Sequence, residues 1–232
     1  MTLFFAAARA GQAAGARLGS FVRAWGLRLL GVRVGRGVVF GGPVRWKFNG
    51  RPERVEIGDR VVFGGRVDLR NRENGRIVIE EDCFFDDNVR LVAAREATLR
   101  VGARTATGRD LVVNAGADVT IGPDCLFSSA INIYGGTHRV APGSPIRTQG
   151  YHPEPTTIGG DVWLAGGVNV LSHSRLGDGL VVGPNAVLCG EYPAGAIVAG
   201  NPARVVGRRG EDCPDLRLMT RSLGAGAEPP AP

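Results

Sequence analysis

The sequence predicts an all-β protein wound as a parallel solenoid, and three observations carry that expectation. A bulky apolar residue recurs every six positions, the recurrences fall in groups of three, and the chain holds 36 glycines with only 6% aromatic residues. Glycine at that density costs helix stability but suits frequent tight turns. A period of six matches neither an amphipathic helix nor a hairpin strand; it matches short strands joined by turns and stacked coil on coil.

The pulse is clearest in "TTIGGDVWLAGGVNVLSHSRLGDGLVVGPNAVL", where Ile158, Leu164, Val170, Leu176, Val182 and Leu188 follow one another without a gap. Upstream it continues in triplets: Val34, Phe40, Trp46; Ile57, Phe63, Leu69; Ile79, Phe85, Leu91; Val101, Thr107, Val113; and Ile121, Phe127, Ile133. Three hexads make one triangular coil, so the groups amount to about seven coils, stacking to roughly 34 Å at the spacing of paired strands. The bulky residues are expected to point inward, with Phe40, Phe63, Phe85 and Phe127 along one interior edge. The residue four places on is small or β-branched in most repeats, and Cys83 and Cys125 occupy it as buried small hydrophobes. The glycine that often follows the bulky residue is expected to form a turn with positive φ.

Three segments follow from the pattern. Residues 1–31 read as an amphipathic helical segment, residues 32–208 as the solenoid with a loop at 134–157, and residues 209–232 as an extension with a short helix near 211–221 and a disordered tail. In the first, Leu18, Phe21, Val22, Trp25 and Leu29 share one helical face, with Arg17, Arg23 and Arg28 mostly off it. Such a helix caps the open end of the solenoid, packs on a sister subunit, or rests on an anionic membrane; the sequence favours the cap.

The net charge of +6 is almost all arginine, which suits phosphate or other anionic ligands as well as a merely solvated surface; no nucleic-acid partner is expected. Four widely spaced cysteines with no CxxC pair suit a reducing cytoplasm. No run of about 18 apolar residues and no secretory leader can be read, so the expected location is cytoplasmic, with peripheral contact to the inner face of the membrane left open by the helix.

The pattern breaks after Ile133. The next inward position is Ile158, and the excursion carries His138 and His152. Long loops on a rigid scaffold often hold function.

The hexapeptide pattern, "IGGDVWLAGGVNVL" and the closing "IVAGNPARVV" resemble the hexapeptide-repeat acyltransferases, in particular their sugar and polysaccharide O-acetyltransferase branch. The resemblance covers about residues 32–208. It implies a left-handed parallel β-helix and a homotrimer with active sites between neighbouring subunits. The activity implied is transfer of an acetyl group from acetyl-CoA to a hydroxyl of a sugar, glycan or glycosylated small molecule, with no metal. "LFSSAINIYGGTH" resembles the family segment leading to the general base, so that role falls on His138; imidazole suits it near neutral pH. A backbone N–H near Trp163 is the expected oxyanion donor, with the Trp163 ring walling the site. Ala165, Gly166, Gly183 and Pro184 match the track of the pantetheine arm, and Arg204 and Arg208 the phosphate end of CoA. Asn114, Tyr134 and His152 are candidates for acceptor contacts, and Glu154, Asp110 or a main-chain carbonyl for orienting the base. Cys189 and Gly190 stand where the family often has a Thr-Lys pair. Two other readings stay beside this one: an N-acetyltransferase of an aminosugar nucleotide, and a non-catalytic scaffold. A metal enzyme of the γ-carbonic anhydrase type needs closely spaced histidines that this sequence lacks.

Overall fold

The computed structural model describes residues 14–210, with side chains from residue 18. The expected terminal helix, the tail and Cys213 therefore lie outside the described residues. Seven coils run from Arg33 to Leu188, each laying one strand in parallel register on each of three sheets of eight, nine and seven strands. Within a coil the chain visits face 1, then face 2, then face 3, as in Val119–Ile121, Leu126–Phe127 and Asn132–Tyr134.

The six-residue pulse packs as the sequence predicts. Ile57, Phe63 and Leu69, one from each face of the second coil, are all buried, as are their counterparts in coils three to seven. Phe40, Phe63 and Phe85 stack on face 2 with successive centroid separations of 5.1 and 5.1 Å. Thr107 continues the column and Phe127 follows it. Cys83 and Cys125 are fully buried, and loss of hydration pushes their thiols up to about 12 and about 11.

Three expectations are corrected. The positive-φ position is not the glycine after the bulky residue but the third residue after it: Asp161, Gly167, His173, Gly179 and Asn185 all have φ between 55° and 76°. The glycine directly after the bulky residue answers to a close approach between coils. A Cβ at Gly122 would lie 2.5 Å from the Gly159 carbonyl carbon one coil on. Gly58 and Gly102 are pinned against the following coil in the same way.

The second correction concerns Trp46. It sits on face 3 of the first coil, where no earlier coil covers it, and is 44% exposed.

The third concerns the helix. Helix α1 (Ala14–Leu29) does close the first coil, lying over faces 1 and 2, but it does so with Ser20, Ala24 and Leu27, which are buried. The large apolar face of Leu18, Phe21, Val22, Trp25 and Leu29 points away from the solenoid. The reason is polar. The first coil has no preceding strand to satisfy its backbone, and the helix supplies partners instead. Ser20 Oγ accepts the Phe40 N–H at 2.9 Å, Arg23 donates to the Phe40 carbonyl, and Arg28 donates to the carbonyls of Val34 and Gly35. Only the small, polar side of α1 can come that close. At the other end, strand Ala203–Arg208 folds back antiparallel on Ala196–Gly200 and covers the edge of face 2.

Candidate active site

The excursion is a two-stranded arm. Gly136–His138 pairs antiparallel with Tyr151–Pro153, placing His138 opposite Tyr151 and Thr137 opposite His152. At the tip, Gln149 closes the loop by bonding both the N–H and the carbonyl of Ala141, each at 2.7 Å.

Tyr151 fixes the arm to the coils. Its hydroxyl donates to the Gly135 carbonyl at 3.0 Å, and the Arg95 guanidinium lies 4.1 Å from the ring centroid. A Cβ at Gly116 or at Gly136 would collide with the phenol, so both positions must be glycine for the ring to pass; Gly136 also has φ of 141°. The His138 ring stands perpendicular to this ring in a T-shaped contact, with centroids 5.7 Å apart. Thus His138 is exposed yet backed by an anchored aromatic wall. Partial burial raises the Tyr151 hydroxyl above its ordinary range, which keeps it a neutral donor.

Neither side chain considered for orienting His138 reaches it. Glu154 accepts from Ser172 at 2.9 Å and faces His152 Nε2 at 3.4 Å; Asp110 accepts from Asn88. Among the described residues no side chain hydrogen-bonds the His138 imidazole. His152, a candidate for acceptor contact, lies on the second strand of the arm and belongs to this Glu154 pair. His173 sits exposed at a coil corner. Asn114 and Tyr134 are register partners on face 3, beside the base of the arm, and Thr156 donates to the Tyr134 carbonyl at 2.7 Å.

The donor-side residues gather elsewhere. Trp163 lies on face 2, half-buried, and its own N–H already donates to Leu180 O at 2.9 Å. The Ala165 N–H is likewise taken, by Val182 O. One residue on, Gly166 differs: its N–H has no partner among the described residues. A Cβ there would meet only the Ser129 carbonyl, at 3.7 Å, and its φ is not in the positive region. The fold itself does not require glycine at 166. Gly183, one coil on, is tighter, since its Cβ would come 3.1 Å from that of Ala199. Pro184 beside it is exposed, as is Arg204 on the final hairpin; Arg208 is exposed as well.

These two groups occupy different edges of the prism. The arm leaves face 3 and returns on face 1, so His138 stands at the edge between them, opposite face 2. Ala165, Gly166, Gly183 and Pro184 turn the edge between faces 2 and 3. One face of about six residues, roughly 15–20 Å at strand rise, separates the edges within one chain. The open grooves of about 500 and about 470 Å³ lie on face 1 at the two ends of the solenoid and touch neither group.

No family model matches the chain. It is 37% identical over 156 residues to a probable acetyltransferase of Mycobacterium tuberculosis, Rv3034c, covering 67% of this chain and 50% of that protein. Over 66 residues it is 35% identical to WbbJ of Escherichia coli, a putative lipopolysaccharide biosynthesis O-acetyl transferase, covering 28% of this chain and 34% of that one. The chain thus spans half or less of the length of these relatives. Among solved structures, the polySia-specific acetyltransferase NeuO superposes with a TM-score of 0.57 at 20% identity, covering 83% of this chain and 89% of that chain. AntD, an N-acyltransferase from Bacillus cereus, superposes with a TM-score of 0.50 at 13% identity, over 87% and 95%. By its six-residue repeat, its three-faced coils and its acetyltransferase relatives, the chain belongs to the hexapeptide-repeat acyltransferase family.

Proposed function

We propose that the protein transfers an acetyl group from acetyl-CoA to a hydroxyl of a carbohydrate-type acceptor, in a homotrimer whose active sites lie between subunits. The observation that carries this reading is Gly166, where space for a side chain and an N–H without a partner among the described residues coincide on a turn that does not itself require glycine. A ligand running along the edge accounts for both, and the pantetheine arm of CoA is narrow enough to do so. Ala165, Gly166, Gly183 and Pro184 then line the arm, and Arg204 and Arg208 meet the phosphates through charge-assisted bonds.

In that arrangement His138 takes the proton of the acceptor hydroxyl as its oxygen forms a bond to the thioester carbonyl carbon. The carbon–sulfur bond breaks, CoA leaves as its thiolate, and the proton passes from His138 to the sulfur. The Gly166 N–H, three residues beyond Trp163 and without a partner among the described residues, serves the oxyanion. The distance between the two edges of one chain supports the trimer: the His138 edge of one subunit must meet the Gly166 edge of the next. An apolar exterior stripe on face 2, with Leu126 48% exposed and Trp163 half-buried, offers the surface for it. Asn114 and Tyr134, at the base of the arm, contact the acceptor, and His152 with Glu154 borders it.

The test is a screen of sugar acceptors with acetyl-CoA, read by mass spectrometry of the product. An ester supports the reading; an amide transfers it to aminosugar acceptors. His138→Ala should lower turnover about 10²–10⁴-fold, and a loss below about threefold removes His138 from the chemistry.

A further inference from the structure

The large apolar face of α1 is the part of the described chain for which the solenoid has no use. Leu18, Phe21, Val22, Trp25 and Leu29 are each 55–67% exposed, and Trp46 stands 44% exposed at the same end. Their surroundings are strongly one-signed. Residues 14–54 contain nine basic side chains and one acid, Glu53, whereas residues 55–210 contain sixteen basic and seventeen acidic. The positive balance of the described chain therefore sits at one end of the solenoid. Arg45 and Lys47 flank Trp46, both exposed and without an ion-pair partner among the described residues, as is Arg51. Arg23 and Arg28 are held down on the first coil by their backbone bonds, which leaves the crest of the helix apolar.

We propose that this end is a membrane-docking surface, on which α1 lies in the interface of an anionic bilayer with its apolar crest among the acyl chains. A helix apolar on one side with cations beside it binds in that manner, and here the cations free to meet headgroups are Arg45, Lys47 and Arg51 of the first coil. Arg33 and Arg36 are paired with Glu56 and Asp59 of the second coil, yet charge still selects this occupant over a second copy of the chain, because two such ends placed together would set Arg45, Lys47 and Arg51 of each against those of the other. Docking would direct the solenoid axis away from the bilayer and hold the arm of His138, four coils up, toward acceptors near the surface. Among the described residues no helix is long and apolar enough to cross a membrane, so the contact is peripheral.

The test is co-sedimentation of the full chain with vesicles of phosphatidylcholine alone and of phosphatidylcholine with about one-third phosphatidylglycerol. Binding to the anionic vesicles should be at least about tenfold tighter and should weaken as salt screens the charges. The F21E/W25E pair, both exposed, should abolish binding with an unchanged unfolding temperature. R45Q/K47Q should reduce the anionic preference and provides the same test if the first pair does not fold. Equal partitioning onto both vesicle types, no partitioning onto either, or binding unaffected by these substitutions overturns the proposal. Association in solution that F21E/W25E dissolves, without vesicle binding, would assign the face to a second copy instead and also overturn it.

Discussion

Replacing Gly166 by alanine separates what the solenoid needs from what a ligand needs. A methyl at 166 has free space, its nearest neighbour being the Ser129 carbonyl at 3.7 Å, and the backbone there is one that L-residues adopt. Removing a glycine from such a position stabilises by about 0.4–1 kcal/mol, mainly by restricting the unfolded chain. In a protein of this length that raises the unfolding midpoint by about 1–4 °C. A ligand threading the same groove meets one added methyl, worth about 1–3 kcal/mol where the fit is close. Acetyl-CoA should therefore bind roughly 5–150-fold more weakly to a protein that is slightly more stable. Scanning calorimetry and isothermal titration on the same preparation measure both. Gly183→Ala is the contrast, because its methyl would press on Ala199 Cβ at 3.1 Å and should lower the midpoint. If Gly166→Ala is destabilised, the groove is packed by the chain itself. If it binds acetyl-CoA like the wild type, the donor does not run along this edge.

Three further outcomes follow from the same geometry. Tyr151→Phe removes the hydroxyl bond to Gly135 O but keeps the ring, so stability should fall by only about 0.5–1.5 kcal/mol. Turnover should drop while acetyl-CoA affinity holds, and an unchanged kcat would show that the arm needs no such anchor. Burial raises the Cys83 and Cys125 thiols to about 12 and about 11, so iodoacetamide at pH 8 should leave both unmodified until the protein unfolds; labelling of either in the native state contradicts their packing. Asp59, Asp87 and Asp124 are held below their ordinary value, the first two chiefly by backbone N–H bonds and Asp124 by its Arg104 pair. A depressed carboxylate stabilises the fold above its unfolded pKa of 3.8 and loses that contribution as pH falls through the folded value. The unfolding midpoint should be level from about pH 5 to 7 and decline below about 4; a rise on acidification would contradict the sign.

What the sequence made legible was whatever repeats. Ile158 to Leu188 announces the inward column because every coil offers it the same three-sided interior, and the 25-residue interval from Ile133 to Ile158 announces the arm by interrupting that column. What stayed hidden depended on ends and on neighbours. The orientation of α1 is decided by unpaired carbonyls at Val34 and Phe40, which no periodicity records; the apolar moment of the helix pointed to the wrong side. Trp46 obeys the pulse but lacks a coil beneath it. Glycines 58, 102 and 122 looked like turn formers, yet their requirement comes from a backbone some 20 to 37 residues further on. At the site, His138 was legible from its place at the break, whereas its wall, Tyr151, was not. A tyrosine late in a loop carries no signal until the arm folds and Gly116 and Gly136 are found beneath the ring.

The central claim, a donor site for acetyl-CoA with His138 acting on the acceptor, is tested most directly by titrating acetyl-CoA into the wild-type protein and into His138→Ala. Similar affinity in both, with one site per chain, is the expected result, since His138 stands at the acceptor's edge and not along the donor's. No heat of binding to the wild type at millimolar acetyl-CoA would contradict the account.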